Sequence, residues 1–169
     1  YYGGKLQTVE KRNKGKSRIV GHALKQLIDQ SKRIFIMGHA NPDMDCFGAS
    51  LGVMRLCAAN DKEPYIVIDN YKEAMQAVFK QAKENYKFIS SERAKTLADK
   101  DSLVIVVDTH RPSMVQCPEL LSTCEKKVII DHHRRVEDFI ENPVLAYMES
   151  YASSASELVA EILQYMTSK

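Results

Sequence analysis

Apolar residues fall along this chain in short unbroken runs set between polar turns, and in longer stretches spaced for one face of a helix. Ile34-Phe35-Ile36-Met37, Tyr65-Ile66-Val67-Ile68, Leu103-Val104-Ile105-Val106-Val107 and Val128-Ile129-Ile130 are apolar and largely β-branched, as strands covered on both faces require. Lys87-Phe88-Ile89 predicts a further short strand, and residues 143–148 an edge strand. Between these runs, residues 46–60 place Phe47, Leu51, Met54 and Leu56 at helical spacing, and residues 19–31 do the same with Ile19, Ala23, Leu24 and Leu27. Ser90-Ser91-Glu92 opens a charged helix through Ala98, Asp69-Asn70 precedes a helix over residues 71–81, and residues 156–163 read as a capped amphipathic helix. Strand and helix alternating through short connections imply parallel βαβ units. The expected fold is therefore α/β: a mostly parallel, doubly wound sheet flanked by helices, with residues 103–107 at its centre.

The polar positions that matter lie where the strands end. Residues 34–37 run into Gly38-His39-Ala40-Asn41-Pro42-Asp43-Met44-Asp45, residues 103–107 into Asp108-Thr109-His110-Arg111-Pro112, and residues 128–130 into Asp131-His132-His133-Arg134-Arg135. Open α/β sheets bind ligands at the carboxyl ends of their strands. Three strands that each end in carboxylate or imidazole predict one shared site. His39, Asp43, Asp45, Asp108 and His132 offer nitrogen and oxygen donors suited to Mn²⁺, Mg²⁺ or Zn²⁺. Asp131 and His133 extend that set, and Asp108 is placed to bridge two ions. A pair of metals about 3.5–4 Å apart suits displacement at phosphorus. Arg134 and Arg135 are candidates for holding phosphate oxygens. Each residue also has a plainer role open to it: Asp43 and Asp45 as helix caps, Arg134 and Arg135 as a solvated turn. The small-residue segment 150–156 before the last helix fits either a phosphate cradle or a simple connection.

Composition narrows the partners. With 169 residues, 44% hydrophobic and 27% charged, the chain makes one ordinary globular domain, and a net charge of +2 asks for no long nucleic acid and no anionic membrane. Four cysteines without a CxxC pair indicate buried reduced thiols, and no apolar run reaches the length of a membrane span. Residues 1–17 are basic, contain glycine and read as a linker or, alternatively, a phosphate-binding arm. Tyr1-Tyr2-Gly3-Gly4 without an initiator Met suggests a piece of a longer protein.

With these motifs in order, the sequence resembles the DHH phosphoesterase superfamily, named for the Asp-His-His seen at Asp131-His132-His133. Within it, Asp108-Thr109-His110-Arg111-Pro112, Asp131-His132-His133-Arg134-Arg135 and Glu149-Ser150-Tyr151-Ala152-Ser153-Ser154 are similar to the GdpP-type cyclic-di-AMP phosphodiesterases. The resemblance implies one Mn²⁺ held by His39, Asp43 and Asp108 and a second held by Asp45, Asp108 and His132. Asp131 would orient a histidine, His133 would face the substrate, and hydroxide attack between the two metals would open cyclic-di-AMP to pApA. It further implies that residues 1–17 end a degenerate GGDEF-like domain and its linker. Residues 18–169 would be the DHH domain, without the later metal-binding aspartate and DHHA1 domain of the family, and so weakly active or inactive alone. The parent would be a membrane-anchored bacterial protein with this domain in the cytoplasm, and a homodimer is compatible with it. Two other functions compete: an oligoribonuclease or RecJ-like exonuclease on short nucleic acid, and a non-catalytic nucleotide-binding module.

Overall fold

The computed structural model describes residues 2–69, 76, 80–81 and 87–167. Six strands, β1 (Ile34–Met37), β2 (Tyr65–Val67), β3 (Lys87–Ile89), β4 (Leu103–Val107), β5 (Lys126–Asp131) and β6 (Leu145–Met148), form one sheet in the order β3-β2-β1-β4-β5-β6. Every neighbouring pair is parallel. The order runs outward in both directions from β1 and β4, so the doubly wound expectation holds and the switch point lies between those two strands. The residues expected to be central are so: all five of β4 are buried.

Side chains alternate between two cores, as the twofold period of a strand dictates. Ile34, Ile36, Leu103, Ile105, Val107, Val128 and Ile130 point to one face. They meet Leu24 and Ile28 of α1 (Tyr2–Gln30), Ala49, Val53 and Leu56 of α2 (Met44–Ala59), and Leu158 and Ile162 of the last helix (Ala155–Thr167). Phe35, Met37, Val104, Val106 and Ile129 point to the other. There they pack on Ala94 of α3 (Ser91–Leu97) and Leu120 of α4 (Glu119–Thr123), with Val115, Cys117 and Ile140 from the connections. The last helix is α5. All four cysteines are buried and unpaired, as their spacing indicated.

Two features go beyond the expectations. First, the residues read as a linker are helical where described: α1 runs without a break from Tyr2 to Gln30. Its Lys, Arg, Gln and Glu residues are good helix formers and outweigh its glycines. Second, α4 and a 3₁₀ turn at Pro112–Met114 form within residues expected only as connections. The helix expected over residues 71–81 falls almost wholly outside the described residues. No helix among the described residues is long and apolar enough to cross a membrane.

Candidate metal centre and active site

Each strand end delivers its side chain to the switch point for a local reason. Beyond β1 the chain must pass close to both α2 and β4. A Cβ on Gly38 would stand 2.0 Å from Cys46 Sγ and 3.1 Å from the Val107 carbonyl oxygen, so only glycine fits. The His39 loop is then clamped from the far side by an antiparallel bridge between His39 and Val115, with the Ala40 N–H donating to Met114 O at 2.8 Å and the Gln116 N–H to Gly38 O at 2.8 Å. Asp43 caps α2, its Oδ1 accepting the Cys46 N–H at 2.8 Å.

Asp45 closes a second helix. Its Oδ2 accepts the Ala155 N–H and its Oδ1 the Ser156 N–H, both at 3.0 Å, at the start of α5. Burial works against the charged form of Asp45, but the Ser156 and Ala155 N–H groups outweigh it and hold the carboxyl below its usual range. The phosphate cradle considered for residues 150–156 is thus already filled from within the protein. Ser153 and Ser154 are spent on the same helix end, Ser153 donating to Glu157 and Ser154 accepting the Glu157 N–H.

Asp108, directly after β4, sits at φ 64°, in the left-handed region that residues other than glycine rarely adopt. That turn directs its carboxyl inward. Oδ1 lies 3.3 Å from His132 Nε2 and Oδ2 lies 3.9 Å from His39 Nε2, while His132 Nε2 lies 3.7 Å from Asp45 Oδ2. Asp108 is 2% exposed, and its Oδ1 is buried without a hydrogen-bond partner. Burial first, and then the negative charges of Asp45 and Asp43, push its pKa up to about 8. A carboxylate so placed calls for positive charge.

Asp131, fully buried at the end of β5, accepts the His132 N–H at 2.8 Å on Oδ1 and stands 2.7 Å from Nδ1 of both His133 and His110. Asp108, Asp131, His132 and His133 each present a ligand atom within 4.8 Å of one another. The donor set and the orphaned Asp108 Oδ1 together fit a divalent metal. Asp131 is engaged by the backbone N–H groups of His132 and His133 and by two histidine rings. Arg134 is exposed and joins no contact of this cluster, and Arg135 lies over the Phe139 ring with its guanidinium carbon 4.1 Å from the centroid. His110 has no role legible from its neighbours in sequence, because its partners Asp131 and Val136 lie far along the chain. The single signal for it is the short span Asp108-Thr109-His110. The fixed antiparallel clamp on His39 left no sequence trace at all.

The DHH family, N-terminal domain, matches residues 33–169. Over 171 residues the chain is 46% identical to the cyclic-di-AMP phosphodiesterase GdpP of Geobacillus thermodenitrificans, taking in 98% of this chain and 26% of that protein. It therefore spans about a quarter (26%) of that relative's length. Identity to the bifunctional oligoribonuclease and PAP phosphatase NrnA of Mycoplasma genitalium is 30% over 135 residues, 78% of this chain and 40% of that protein. In three dimensions, an exopolyphosphatase-related protein from Bacteroides fragilis shares the fold with a TM-score of 0.71 at 20% identity, over 88% of this chain and 44% of that one. Because the matched span contains β1 to α5 and every strand end that builds the metal centre, the chain belongs to the DHH family.

Proposed function

We propose that this chain is the catalytic domain of a divalent-metal-dependent phosphodiesterase that opens cyclic-di-AMP to pApA. The observation that carries the reading is Asp108: a buried carboxylate oxygen without a partner, ringed by His39, Asp45 and His132 at the sheet's switch point. A non-catalytic module has no reason to hold a buried carboxyl group in a left-handed turn against two others. The relatives' named activity on cyclic-di-AMP supports the choice of substrate.

His39, Asp43 and Asp108 would hold one ion and Asp45, Asp108 and His132 the other, with Mn²⁺ the metal that the resemblance implies among the Mn²⁺, Mg²⁺ and Zn²⁺ this nitrogen and oxygen set suits. When bound, such ions stabilise the attacking and leaving oxygens of a displacement at phosphorus. The protein's own part is placement. Asp43 retains Oδ2 beyond its capping bond, and Asp45 is kept ionised by the α5 N–H groups. His133, its Nδ1 held by Asp131, keeps Nε2 as the ring atom open to the substrate. Arg134 stands exposed one residue further on, suited to a non-bridging phosphate oxygen. We place the domain in the cytoplasm, as part of a membrane-anchored bacterial protein.

The test is calorimetric titration with Mn²⁺ of the wild type and of Asp108→Asn, followed by chromatography of products from cyclic-di-AMP, pApA and a single-stranded oligonucleotide. Mn²⁺ binding that Asp108→Asn abolishes, with pApA formed from cyclic-di-AMP, is the expected result. Equal binding by the variant would sink the metal assignment. Preference for pApA or the oligonucleotide would move the protein to the oligoribonuclease class instead.

A further inference from the structure

His110 is 2% exposed, belongs to none of the ligand sets above, and makes two hydrogen bonds that fix its own chemistry. Its Nε2 lies 3.1 Å from the Val136 N–H and accepts from it. A neutral imidazole that accepts at Nε2 carries its proton on Nδ1. The 2.7 Å contact to Asp131 is therefore Nδ1–H donated to Oδ2. On the other side of that carboxylate, Oδ1 accepts the backbone N–H groups of His132 at 2.8 Å and His133 at 3.3 Å. The His133 ring, 2.7 Å from the same oxygen, must in turn donate its own Nδ1–H. In the neutral ring that leaves His133 Nε2 as the acceptor. The order is Val136 N–H to His110 Nε2, His110 Nδ1–H to Asp131 Oδ2 and His133 Nδ1–H to Asp131 Oδ1, so one buried carboxylate accepts from both rings.

We propose that His110 is a positioning residue: through Asp131 it fixes the tautomer and the ring orientation of His133, and so keeps His133 Nε2 free to meet the substrate. The inference about catalysis rests on the phosphodiesterase reading, whereas the tautomer does not. Asp131 is wholly buried, and without His110 its Oδ2 is left unpaired; relieving that cost pulls the carboxylate about χ2 against the bonds on Oδ1, the one to the His133 ring among them. His110 also accepts from Val136, and the ring of Phe139 lies 5.3 Å from its own, so the turn that carries His133 to Arg135 is braced at both ends. Groups that orient a site histidine from behind typically control activity by about 10- to 100-fold.

Asparagine and glutamine substitutions at His110 separate the two bonds. The shorter asparagine amide would reach the place of Nδ1 and can donate to Asp131; the longer glutamine amide would reach the place of Nε2 and can only serve Val136. His110→Asn and His110→Gln are compared with the wild type by long-range ¹H–¹⁵N NMR of the histidine rings, Mn²⁺ calorimetry and single-turnover hydrolysis of cyclic-di-AMP with Mn²⁺. Expected in the wild type and in His110→Asn is His133 protonated on Nδ1, with hydrolysis in the variant within about threefold of the wild type. Expected in His110→Gln is a mixture of His133 tautomers and a rate lower by about 10- to 100-fold, at unchanged Mn²⁺ affinity. An unaltered His133 tautomer in His110→Gln overturns the proposal, as does a mixture of tautomers in His110→Asn. Wild-type protein that neither binds Mn²⁺ nor hydrolyses the substrate sinks the phosphodiesterase reading alone, because the ring protons still decide the role of His110.

Discussion

At the scale of the residue, Asp108 concentrates the cost of the site. A non-glycine left-handed turn costs about 1–2 kcal/mol, and burial beside Asp45 and Asp43 adds an electrostatic penalty on top. The pH dependence follows from the direction of the shift. Its folded pKa of about 8 lies above the unfolded 3.8, so the folded protein keeps a proton that the unfolded chain gives up. This contribution is therefore fully present below 3.8 and is lost as pH rises towards 8, by up to about 1.4 kcal/mol per pH unit. Asp45, whose pKa is lowered, acts in the opposite sense and only at the acid end. Urea denaturation in chelator at about pH 5 and about pH 8 should find the metal-free protein weaker at the higher pH. Asp108→Asn should flatten that dependence and be the more stable protein at the higher pH, since Asn carries no charge and tolerates the left-handed turn. A wild type whose stability does not fall across this range would contradict the account. On the proposed function the trade is plain: the side chain that most disfavours the empty fold is the one a bound metal would need.

At the scale of the element, the strands were legible because each is an unbroken apolar run, and the site was legible because three of those runs end in ligand chemistry. What the sequence hid depends on contacts between distant segments. Asp69, which precedes the helix expected over residues 71–81, accepts from the N–H and hydroxyl of Ser91 at the start of α3 and from Gln116. The brace on His39 by residues 114–116 has no periodicity to betray it, and Asp45 capping α5 across 110 residues has none either. Gly38 is the element-level hinge between β1 and α2, and its role can be isolated. Gly38→Ala should cost on the order of 1–3 kcal/mol, because the new methyl group overlaps Cys46 Sγ. Adding Cys46→Ala removes that overlap and leaves only the 3.1 Å approach to Val107 O, so the double variant should lose less than the sum of the singles. Denaturant midpoints of the four proteins complete the cycle; additive losses would mean that the clash lies elsewhere.

At the scale of the whole molecule, the sheet order follows from burial: the most apolar strand takes the middle, and Leu145–Met148, with exposed Ala146, takes the edge. The less legible question is how the edge strand is held. β6 pairs with β5, the strand that ends in Asp131, and its Tyr147 is fully buried against α1. Ser17 Oγ lies 2.6 Å from the Tyr147 hydroxyl and 3.0 Å from Glu161 Oε2. A serine has one proton, and the Glu161 carboxylate is the partner that must accept it, so the tyrosine donates to the serine. Lys16 adds an ion pair to Glu149 at 2.5 Å from a partly exposed position. Three elements, α1, β6 and α5, thus share one buried relay. The direction of donation makes the two ends unequal. Tyr147→Phe removes one bond of about 1 kcal/mol and leaves Ser17 still donating to Glu161. Ser17→Ala strands the buried Tyr147 hydroxyl and should cost more, about 1–3 kcal/mol. In the double variant no hydroxyl is left unpaired, so its loss should be no larger than that of Ser17→Ala alone. Equal single losses that add in the double variant would show that α1 lies against β6 by apolar packing alone. The predicted inequality would show instead that a buried hydrogen-bond chain ties the long first helix to the strand beside the metal centre.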